Sequence, residues 1–403
     1  MKKKLISFLG INKYEETTYK LPLSDQSVKT RFFVEAAAEY CSPDEILVFA
    51  TKEAKDKNGN KLIQTLTKYH LQLVDIPPGK NEDELWKIFE LLVSKLNERD
   101  EVYFDITHSF RSIPIFVLLA SEFLRVAKSI EVKGILYGAF EAKEGEIVPT
   151  FDLSPFAEML NWVTATDIFI KYGDSIELAN ILSKLKNKAW RERKGTSENS
   201  PRKMERLANT LENLSRCLRL MRPLEIKSPA ELLEKNLEEV KEETAVWAKP
   251  FTVLLTKVKQ KYDELVVPSP LEAQRRLIFW YEEHGHLVQA IALAREWIVS
   301  LACELTNIPS DEVKERGKVE KVVNRFAIEQ RNKKTGSDTN IPCDEKLYEA
   351  FSNLPQAKEI ASLWNEISDL RNNVSHCGMR QDRGEAEGIE KQIKKAIKKL
   401  RKV

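Results

Sequence analysis

The first 150 residues alternate between short, uniformly apolar stretches and amphipathic stretches of helical period, and this alternation most limits the possible folds. The apolar stretches predict strands at 5–10, 45–50, 71–77, 101–106 and 130–140, with a last strand at 146–151 in a hairpin. Helices are predicted between them at 27–40, 62–69, 84–96 and 114–128. Strands that are apolar on both faces and separated by helices form a mostly parallel sheet covered on both sides. The sequence therefore predicts an α/β, Rossmann-like domain.

From about residue 156 onward the strand pattern is lost, and the chain has the period of amphipathic helices. Polar stretches at 191–203 and 330–340 predict loops, and VVPSP at 266–270 predicts a boundary. We therefore expect three parts. They are a Rossmann-like domain at 1–155, a helical connector at 156–268 and a second all-helical domain at 269–403.

Composition excludes several classes of protein. The formal net charge of +2 is nearly balanced, so nucleic-acid binding has to be argued from local charge. No apolar stretch reaches membrane-spanning length, and MKKKLISFLGIN lacks the apolar core and cleavage site of a signal peptide. Five scattered cysteines form no C-x-x-C pair. We expect a reduced, cytoplasmic protein with no membrane contact, no metal and no cofactor.

Two loops that leave predicted strands carry polar residues where ligands of open parallel sheets bind. The second loop, in DITHSFRSIP (105–114), opens a helix whose free N–H groups favour phosphate. No G-x-G-x-x-G and no P-loop is present, so we expect a phosphate-rich ligand held by side chains and helix ends. In the alternative, Thr107 and Ser109 only cap that helix. The candidate ligand-binding residues are Gly10, Asn12, Thr17 and Thr18 in the first loop and Thr107, His108, Ser109 and Arg111 in the second.

DLRNNVSHCG (369–378) gives the second domain its candidate catalytic residues. Cleavage of an RNA phosphodiester needs a general acid or base of near-neutral pKa, which His376 offers. It also needs a permanent cation for the charge that develops on phosphate, which Arg371 offers, and Asn372 can orient either group. A spacing of five residues puts arginine and histidine about 140° apart on a helix. The two side chains therefore meet at one phosphate more easily if two copies of the helix form the site together. Chance alone gives such a pair at an expectation of roughly 0.3, so context must support it.

Four segments occur in this chain in the order typical of one family. They are FLGINKYEETTY near the amino terminus, DITHSFRSIP, WYEEHGHLVQAIALAREWIVS (280–300) and RNNVSH. The chain resembles the CRISPR-associated proteins of the DxTHG type, which are CARF–HEPN ribonucleases of type III CRISPR immunity. Ser109 stands where the D-x-T-H-G motif has glycine, so a Cβ and a hydroxyl lie where backbone usually approaches the ligand.

The resemblance implies a CARF sensor domain that binds a cyclic oligoadenylate messenger, with cyclic tetra-adenylate the first candidate. It implies that 269–403 is an all-α HEPN domain, with 280–300 as its first long helix, and that the chain is an endoribonuclease activated by the messenger. It also implies a homodimer or higher homo-oligomer that cleaves single-stranded RNA without metal. Cleavage then follows attack by the 2′-hydroxyl at a dimeric R-x4-H site.

Other readings have less support in the sequence. His284 and His286 lie two positions apart, and no third metal ligand is obvious, so a metal site is disfavoured. A cysteine nucleophile at Cys377 activated by His376 is also disfavoured, because adjacent residues rarely point their side chains at each other. The lysine-rich tail at 389–403 favours a docked helix with a solvated basic face, and electrostatic guidance of RNA is the alternative. The alternative function is a non-catalytic CARF-type nucleotide sensor or regulator that binds DNA or protein.

Overall fold

The computed structural model describes residues 2–22, 25–108, 113–192, 202–247, 254, 257–261, 263, 265–332, 341–379 and 384–403. The chain divides into two compact units, Met1–Asn161 and Trp162–Val403. Both units have continuous apolar cores of their own, which is the physical mark of a domain. The division between connector and second helical domain near residue 268 stays a prediction.

In the described part of the first unit, eight strands form one sheet in the order β3-β2-β8-β7-β6-β1-β4-β5. The strands are β1 Lys3–Leu9, β2 Thr17–Lys20, β3 Ser27–Thr30, β4 Glu45–Ala50, β5 Leu71–Asp75, β6 Glu101–Asp105, β7 Glu131–Gly138 and β8 Ile147–Asp152. β1 lies parallel to both β4 and β6, β4 to β5, and β6 to β7. β8 is antiparallel to β7, β2 is parallel to β8, and β3 is antiparallel to β2. The start of β2 therefore lies at the same edge as the carboxyl ends of β1, β3 and β6.

Helices cover both faces of this sheet. They are α1 Phe33–Cys41, α2 Lys52–Ala54, a π-helical turn Lys55–Gly59, α3 Asn60–Thr65, α4 Glu82–Ser94 and α5 Ile113–Lys128, with a 3₁₀ turn at Phe140–Ala142. Successive strand residues point to opposite faces. Accordingly Leu5 packs with α1 and α3, whereas Ile6 packs with α4 and α5. The predicted mostly parallel, helix-covered sheet is confirmed.

Two local predictions in this unit are wrong. The helix predicted at 27–40 begins only at Phe33, because Ser27–Thr30 instead pairs with Thr17–Lys20. That pairing also makes Thr17 and Thr18 strand residues rather than loop residues. The helix predicted at 62–69 is observed earlier, over Lys52–Thr65, and it ends before Leu66. Both differences arise from strand pairing and tertiary packing, which local sequence pattern does not report.

The described part of the second unit is helical. Its helices are α6 Ser154–Tyr172 (which begins in the first unit), α7 Ile176–Glu192, α8 Arg202–Arg219, α9 Lys227–Trp247, α10 Pro270–Glu283, α11 Leu287–Leu305, α12 Val313–Asn332, α13 Glu345–Ser352, α14 Ala357–Ser375 and α15 Ala386–Leu400, with a 3₁₀ turn at Pro223–Glu225. One apolar core runs through them, from Trp162 to Leu400. The prediction of a helical region after the Rossmann-like domain is confirmed.

The segment at 280–300 is not a single long helix. α10 ends at Glu283 and α11 begins at Leu287, because Gly285 between them has a φ of +75°. This left-handed conformation ends an α-helix and suits glycine.

Within the described residues, no helix combines the length and the apolar character that crossing a bilayer requires.

Candidate functional site

The carboxyl edge of the sheet brings the loop after β1 against the loop after β6. A Cβ on Gly10 would lie 3.3 Å from the backbone oxygen of His108 and 2.9 Å from the hydroxyl of Tyr14. The closer of these distances is below what real Cβ atoms show, so a side chain at Gly10 would push the tyrosine away. The structure thus brings together two residues that the sequence placed in separate candidate loops.

Asp105, the last residue of β6, anchors the second loop from inside the domain. It is fully buried, and its carboxylate accepts a hydrogen bond from Ser7 Oγ at 2.6 Å and another from the backbone N–H of Thr107 at 2.9 Å. Burial raises the pKa of Asp105 to about 6, and these hydrogen bonds oppose the rise. Sequence reasoning omitted this residue, although a lone acidic residue in an apolar strand was the available signal.

Thr107 supports the loop through its hydroxyl. Thr107 Oγ1 accepts a hydrogen bond of 2.9 Å from the backbone N–H of Gly138, at the end of β7. Its hydroxyl also stabilises the charged form of Asp105. These contacts occupy the side chain within the protein, so Thr107 holds two neighbouring strand ends together.

His108 is the residue of this loop with an unused polar atom. Its Nε2 is buried, and none of the described residues offers it a hydrogen-bond partner. The ring lies edge-on to Tyr14, with 4.4 Å between ring centroids. Burial lowers the pKa of His108 to about 4, so the imidazole is neutral at pH 7. A neutral imidazole with a free nitrogen can still donate or accept one hydrogen bond from a ligand.

The loop after β1 is held in a fixed shape by two side chains. Asn58, in the π-helical turn, donates hydrogen bonds of 3.0 Å to the backbone oxygens of Gly10 and Asn12. Tyr14 accepts a 2.7 Å hydrogen bond from the backbone N–H of Gly10, and burial raises its pKa to about 12. Asn12 therefore contributes its backbone to this loop.

A cavity of about 270 Å³ opens beside this loop and mixes charged with aromatic side chains. Its cations are candidates for phosphate contacts, and its amide and rings are candidates for contacts to a base. Sequence reasoning missed it because Arg31 follows an edge strand that was predicted as helix. The lining residues are Lys13, Tyr14, Glu15, Glu16, Arg31, Phe32, Asn58 and Lys61.

The remaining predicted ligand residues lie elsewhere or outside the described residues. Thr17 is buried at the start of β2 and pairs with Thr30, and Thr18 is half-buried next to it. β2 is separated from β6 by β8 and β7, although all of these strands reach the same edge. Ser109 and Arg111 lie outside the described residues. The ligand-binding role of each of these four stays a prediction.

The second candidate site lies at the carboxyl end of α14. Arg371 is half-buried, and its Nη1 donates a 2.9 Å hydrogen bond to the side-chain oxygen of Asn372. In the described part of the chain, no carboxylate comes within 4.0 Å of the Arg371 guanidinium. His376 follows the last helical residue, and its side chain is exposed. An arginine without a carboxylate and an exposed imidazole are thus both open to a phosphate ligand.

His284 and His286 contact helix carbonyls instead of forming a cluster. His284 Nδ1 lies 2.7 Å from the backbone oxygen of Trp280, and its Nε2 lies 3.2 Å from that of Ile170. His286 Nε2 lies 2.9 Å from the backbone oxygen of Tyr172. Over the residues that the structure describes, no three histidine, cysteine or acidic side chains are arranged to hold a metal ion.

Comparison with protein families assigns the two successive parts of this chain. Residues 4–141 match the CARF domain of the CRISPR system endoribonuclease Csx1. Residues 158–269 match the second domain of the CRISPR-associated protein MJ1674.

Two individual proteins are similar to this chain. The CRISPR-associated protein MJ1674 of Methanocaldococcus jannaschii is 28% identical over 305 residues, which are 74% of this chain and 41% of that protein. This match thus spans about two fifths of the length of the curated relative. Among solved structures, Enterococcus italicus Csm6 bound to cyclic hexa-2′-fluoro-hexa-dAMP has a TM-score of 0.45 and 12% identity, covering 99% of this chain and 92% of that one. Residues 4–141 are therefore similar to the CARF domain of Csx1, and the chain is similar to the CRISPR-associated protein MJ1674.

Proposed function

We propose that this chain is a cyclic-oligoadenylate-activated endoribonuclease that cleaves single-stranded RNA without a metal ion. The observation that carries the proposal is Arg371, a guanidinium with no carboxylate partner in the described residues, on the same helix end as the exposed His376. A half-buried guanidinium without a carboxylate partner can make charge-assisted hydrogen bonds to an anionic ligand, and the neighbouring imidazole favours such a ligand further. The CARF domain supplies the matching sensor.

The sheet edge supports messenger binding at the CARF domain. A cyclic oligoadenylate presents phosphates and adenine bases. The loop after β1 is held by Asn58 and Tyr14, and the His108 Nε2, which has no partner among the described residues, can bind one polar group of the ligand. The adjoining cavity is lined by three cations, Lys13, Arg31 and Lys61, and by two glutamates, so its positive charge exceeds its negative charge by one, and the cations can contact phosphate. The Csm6 structure was itself solved with a cyclic oligoadenylate analogue.

The proposed cleavage uses one base and one acid. The base takes the proton of the 2′-hydroxyl, and that oxygen then attacks the adjacent phosphorus. The 5′-oxygen leaves and takes a proton from the acid, which yields a 2′,3′-cyclic phosphate and a 5′-hydroxyl. His376 of each protomer supplies one of these groups, and Arg371 stabilises the charge on the pentavalent phosphorus. Asn372 orients the guanidinium through its 2.9 Å hydrogen bond.

A homodimer is part of this proposal, and the outer face of α5 supports it. Ile115, Leu119 and Val126 are 64%, 59% and 70% exposed, and Phe123 on the same helix is 47% exposed. These positions recur every three or four residues and so form one apolar stripe. A soluble chain covers a stripe of this kind with another protein surface. A second copy bound there is the proposed partner.

The rival function is a CARF sensor without catalysis. An RNA-cleavage assay separates the two, with a fluorescent single-stranded RNA in EDTA and a panel of cyclic tri-, tetra- and hexa-adenylate. We expect cleavage only with one ring size, and products that end in 2′,3′-cyclic phosphate. Messenger binding by calorimetry with no cleavage under any messenger would favour the non-catalytic sensor.

A further inference from the structure

The carboxyl-terminal helix α15 is fixed in one orientation by its apolar face. Ile393, Ala396, Ile397 and Leu400 are all buried in the core of the second unit. Lys399 adds a salt bridge of 2.5 Å to Glu366 of α14. Because the helix cannot rotate, the residues on its opposite side face solvent permanently.

That outer side carries three lysines without a carboxylate partner among the described residues, whereas the other four basic residues of the segment each form a salt bridge. Residues 386–403 include seven lysine or arginine residues and two glutamates, so this short segment has a net charge of +5 in a chain whose net charge is +2. The glutamates pair with Lys391 and Lys394. Among the described residues, no carboxylate lies within salt-bridge distance of Lys395, Lys398 or Lys402. Lys395 and Lys398 lie three residues apart on one side of α15, and Lys402 follows in the exposed turn after the helix.

An aromatic ring between two arginines extends this surface onto α10. The guanidinium of Arg401 lies 4.7 Å from the ring centroid of Phe279, and that of Arg275 lies 5.6 Å from the same centroid. Arg275 also donates to the backbone oxygen of Arg401 at 3.3 Å. Its Nε is buried without a hydrogen-bond partner in the described residues. Basic side chains interleaved with an aromatic ring are typical of surfaces that bind single-stranded nucleic acid.

The basic surface lies close to the candidate catalytic residues. Glu366, the partner of Lys399, precedes Arg371 by five residues, which is about 7.5 Å along the axis of α14. α15 itself extends about 22 Å over its 15 residues. A strand that enters near Arg371 can therefore follow α15 for several nucleotides.

We propose that Lys395, Lys398 and Lys402, together with Arg275, Phe279 and Arg401, form a binding surface for the phosphate backbone of single-stranded RNA. This inference rests on the proposed ribonuclease function and gives its substrate a path outside the R-x4-H site. The surface holds flanking nucleotides and does no chemistry. It therefore sets affinity for long substrates and leaves the rate of the cleavage step unchanged.

The test measures how RNA binding depends on salt. The probe is a fluorescein-labelled single-stranded RNA of 20 nucleotides, bound to His376→Ala protein so that the probe stays intact. Each lysine–phosphate contact in a single strand contributes about 0.7 to the slope of log K against log salt concentration. The variant K395Q/K398Q/K402Q should therefore lower that slope by about 2. The control K227Q/K235Q/K259Q removes the same charge from lysines that each have a glutamate partner, and its slope should be unchanged.

Kinetics with His376 intact give a second measurement. With the long RNA, K395Q/K398Q/K402Q should raise KM at unchanged kcat, and with a trinucleotide substrate it should match the parent protein. An unchanged salt slope in K395Q/K398Q/K402Q, or an equal loss in the control, overturns the inference. Duplex DNA bound as tightly as the RNA overturns the assignment to single-stranded RNA. Absence of cleavage by the parent protein under every messenger contradicts the proposed function instead, because the binding slope is measured without cleavage.

Discussion

Asp105 and His108 show how two buried ionisable side chains, three positions apart, act oppositely on stability. The pKa of Asp105 is raised from 3.8 to about 6, so between these values the folded chain binds a proton that the unfolded chain has lost. Its contribution to stability therefore falls as pH rises from about 4 to 6. The pKa of His108 is lowered from 6.5 to about 4, so its contribution rises over nearly the same range. Each shift corresponds to about 3 kcal/mol at most.

Asp105→Asn should remove only the contribution of Asp105 to stability, which falls as pH rises, and should leave that of His108 in place. Asparagine has nearly the same shape, and its amide can still bond Ser7 and the N–H of Thr107, but it has no charge to bury. We expect the variant to be more stable than the parent at pH 7.5 by about 1–3 kcal/mol, with the difference vanishing near pH 4. Urea unfolding at pH 4, 5, 6 and 7.5 measures this. A difference that does not change with pH would show that Asp105 is ionised in the fold throughout.

His376→Ala tests the candidate catalytic centre. Removal of a general acid or base should lower kcat about 10²–10⁴-fold, and messenger affinity should stay the same because the proposed messenger site lies in the other unit. Arg371→Lys keeps the charge and removes the planar fork, so an intermediate loss would assign the role to the geometry of the guanidinium. His70→Ala is the control, since this exposed histidine belongs to the CARF domain. Near-normal turnover of His376→Ala would contradict the assignment.

The sequence predicted the site residues that directly follow strands, but it did not predict those that only tertiary packing brings to the site. Gly10 and His108 follow apolar strands directly, and the structure places them together. Tyr14, Arg31 and Asn58 line the same region from three different elements, and only the folded sheet makes them neighbours. Their chemistry is ordinary when read along the chain, so no local signal singled them out.

At the scale of elements, the sequence predicted periodic segments well and missed short paired ones. Every apolar stretch predicted as a strand is a strand, because such runs can only be buried between helices. β2 and β3 have four residues each, and their partners lie on β8 and on each other, so their stability comes from pairing rather than from pattern. The sequence also did not predict the helix break at Gly285, because a glycine within a helical pattern is tolerated and the sequence does not show its positive φ.

If the apolar stripe of α5 forms the proposed dimer interface, a charge on that face should dissociate the dimer. Leu119 is 59% exposed, so Leu119→Glu should fold normally and bury a charge only if a second copy covers it. We expect sedimentation velocity at micromolar concentration to show dimers for the parent and monomers for the variant. Leu224→Glu is the matched control, because Leu224 is 65% exposed in the second unit. Dimers of unchanged stability for Leu119→Glu would place the interface on another face.

At the scale of the whole molecule, sensing and cleavage are assigned to different units. Residues 4–141 match a CARF domain, whereas Arg371, Asn372 and His376 all lie beyond residue 161. If the messenger controls cleavage by shifting the population of an active state, sensor variants should change the concentration that activates and leave the maximal rate intact. Catalytic variants should do the reverse. This difference separates the two sites without any knowledge of how the units are arranged.

Arg31→Ala in the CARF cavity is the sensor variant that tests this most directly. A lost charge-assisted contact to phosphate costs about 1.5–3 kcal/mol, so the activating concentration should rise roughly 10–150-fold at an unchanged maximal rate of RNA cleavage. His108→Ala should shift it less, about 2–10-fold, because a neutral imidazole makes an uncharged hydrogen bond. Binding is read independently in His376→Ala protein, where saturating messenger should raise Tm and Arg31→Ala should require more messenger for the same rise. A lowered maximal rate with no shift in activating concentration would mean that Arg31 acts on the coupling between units rather than on the messenger.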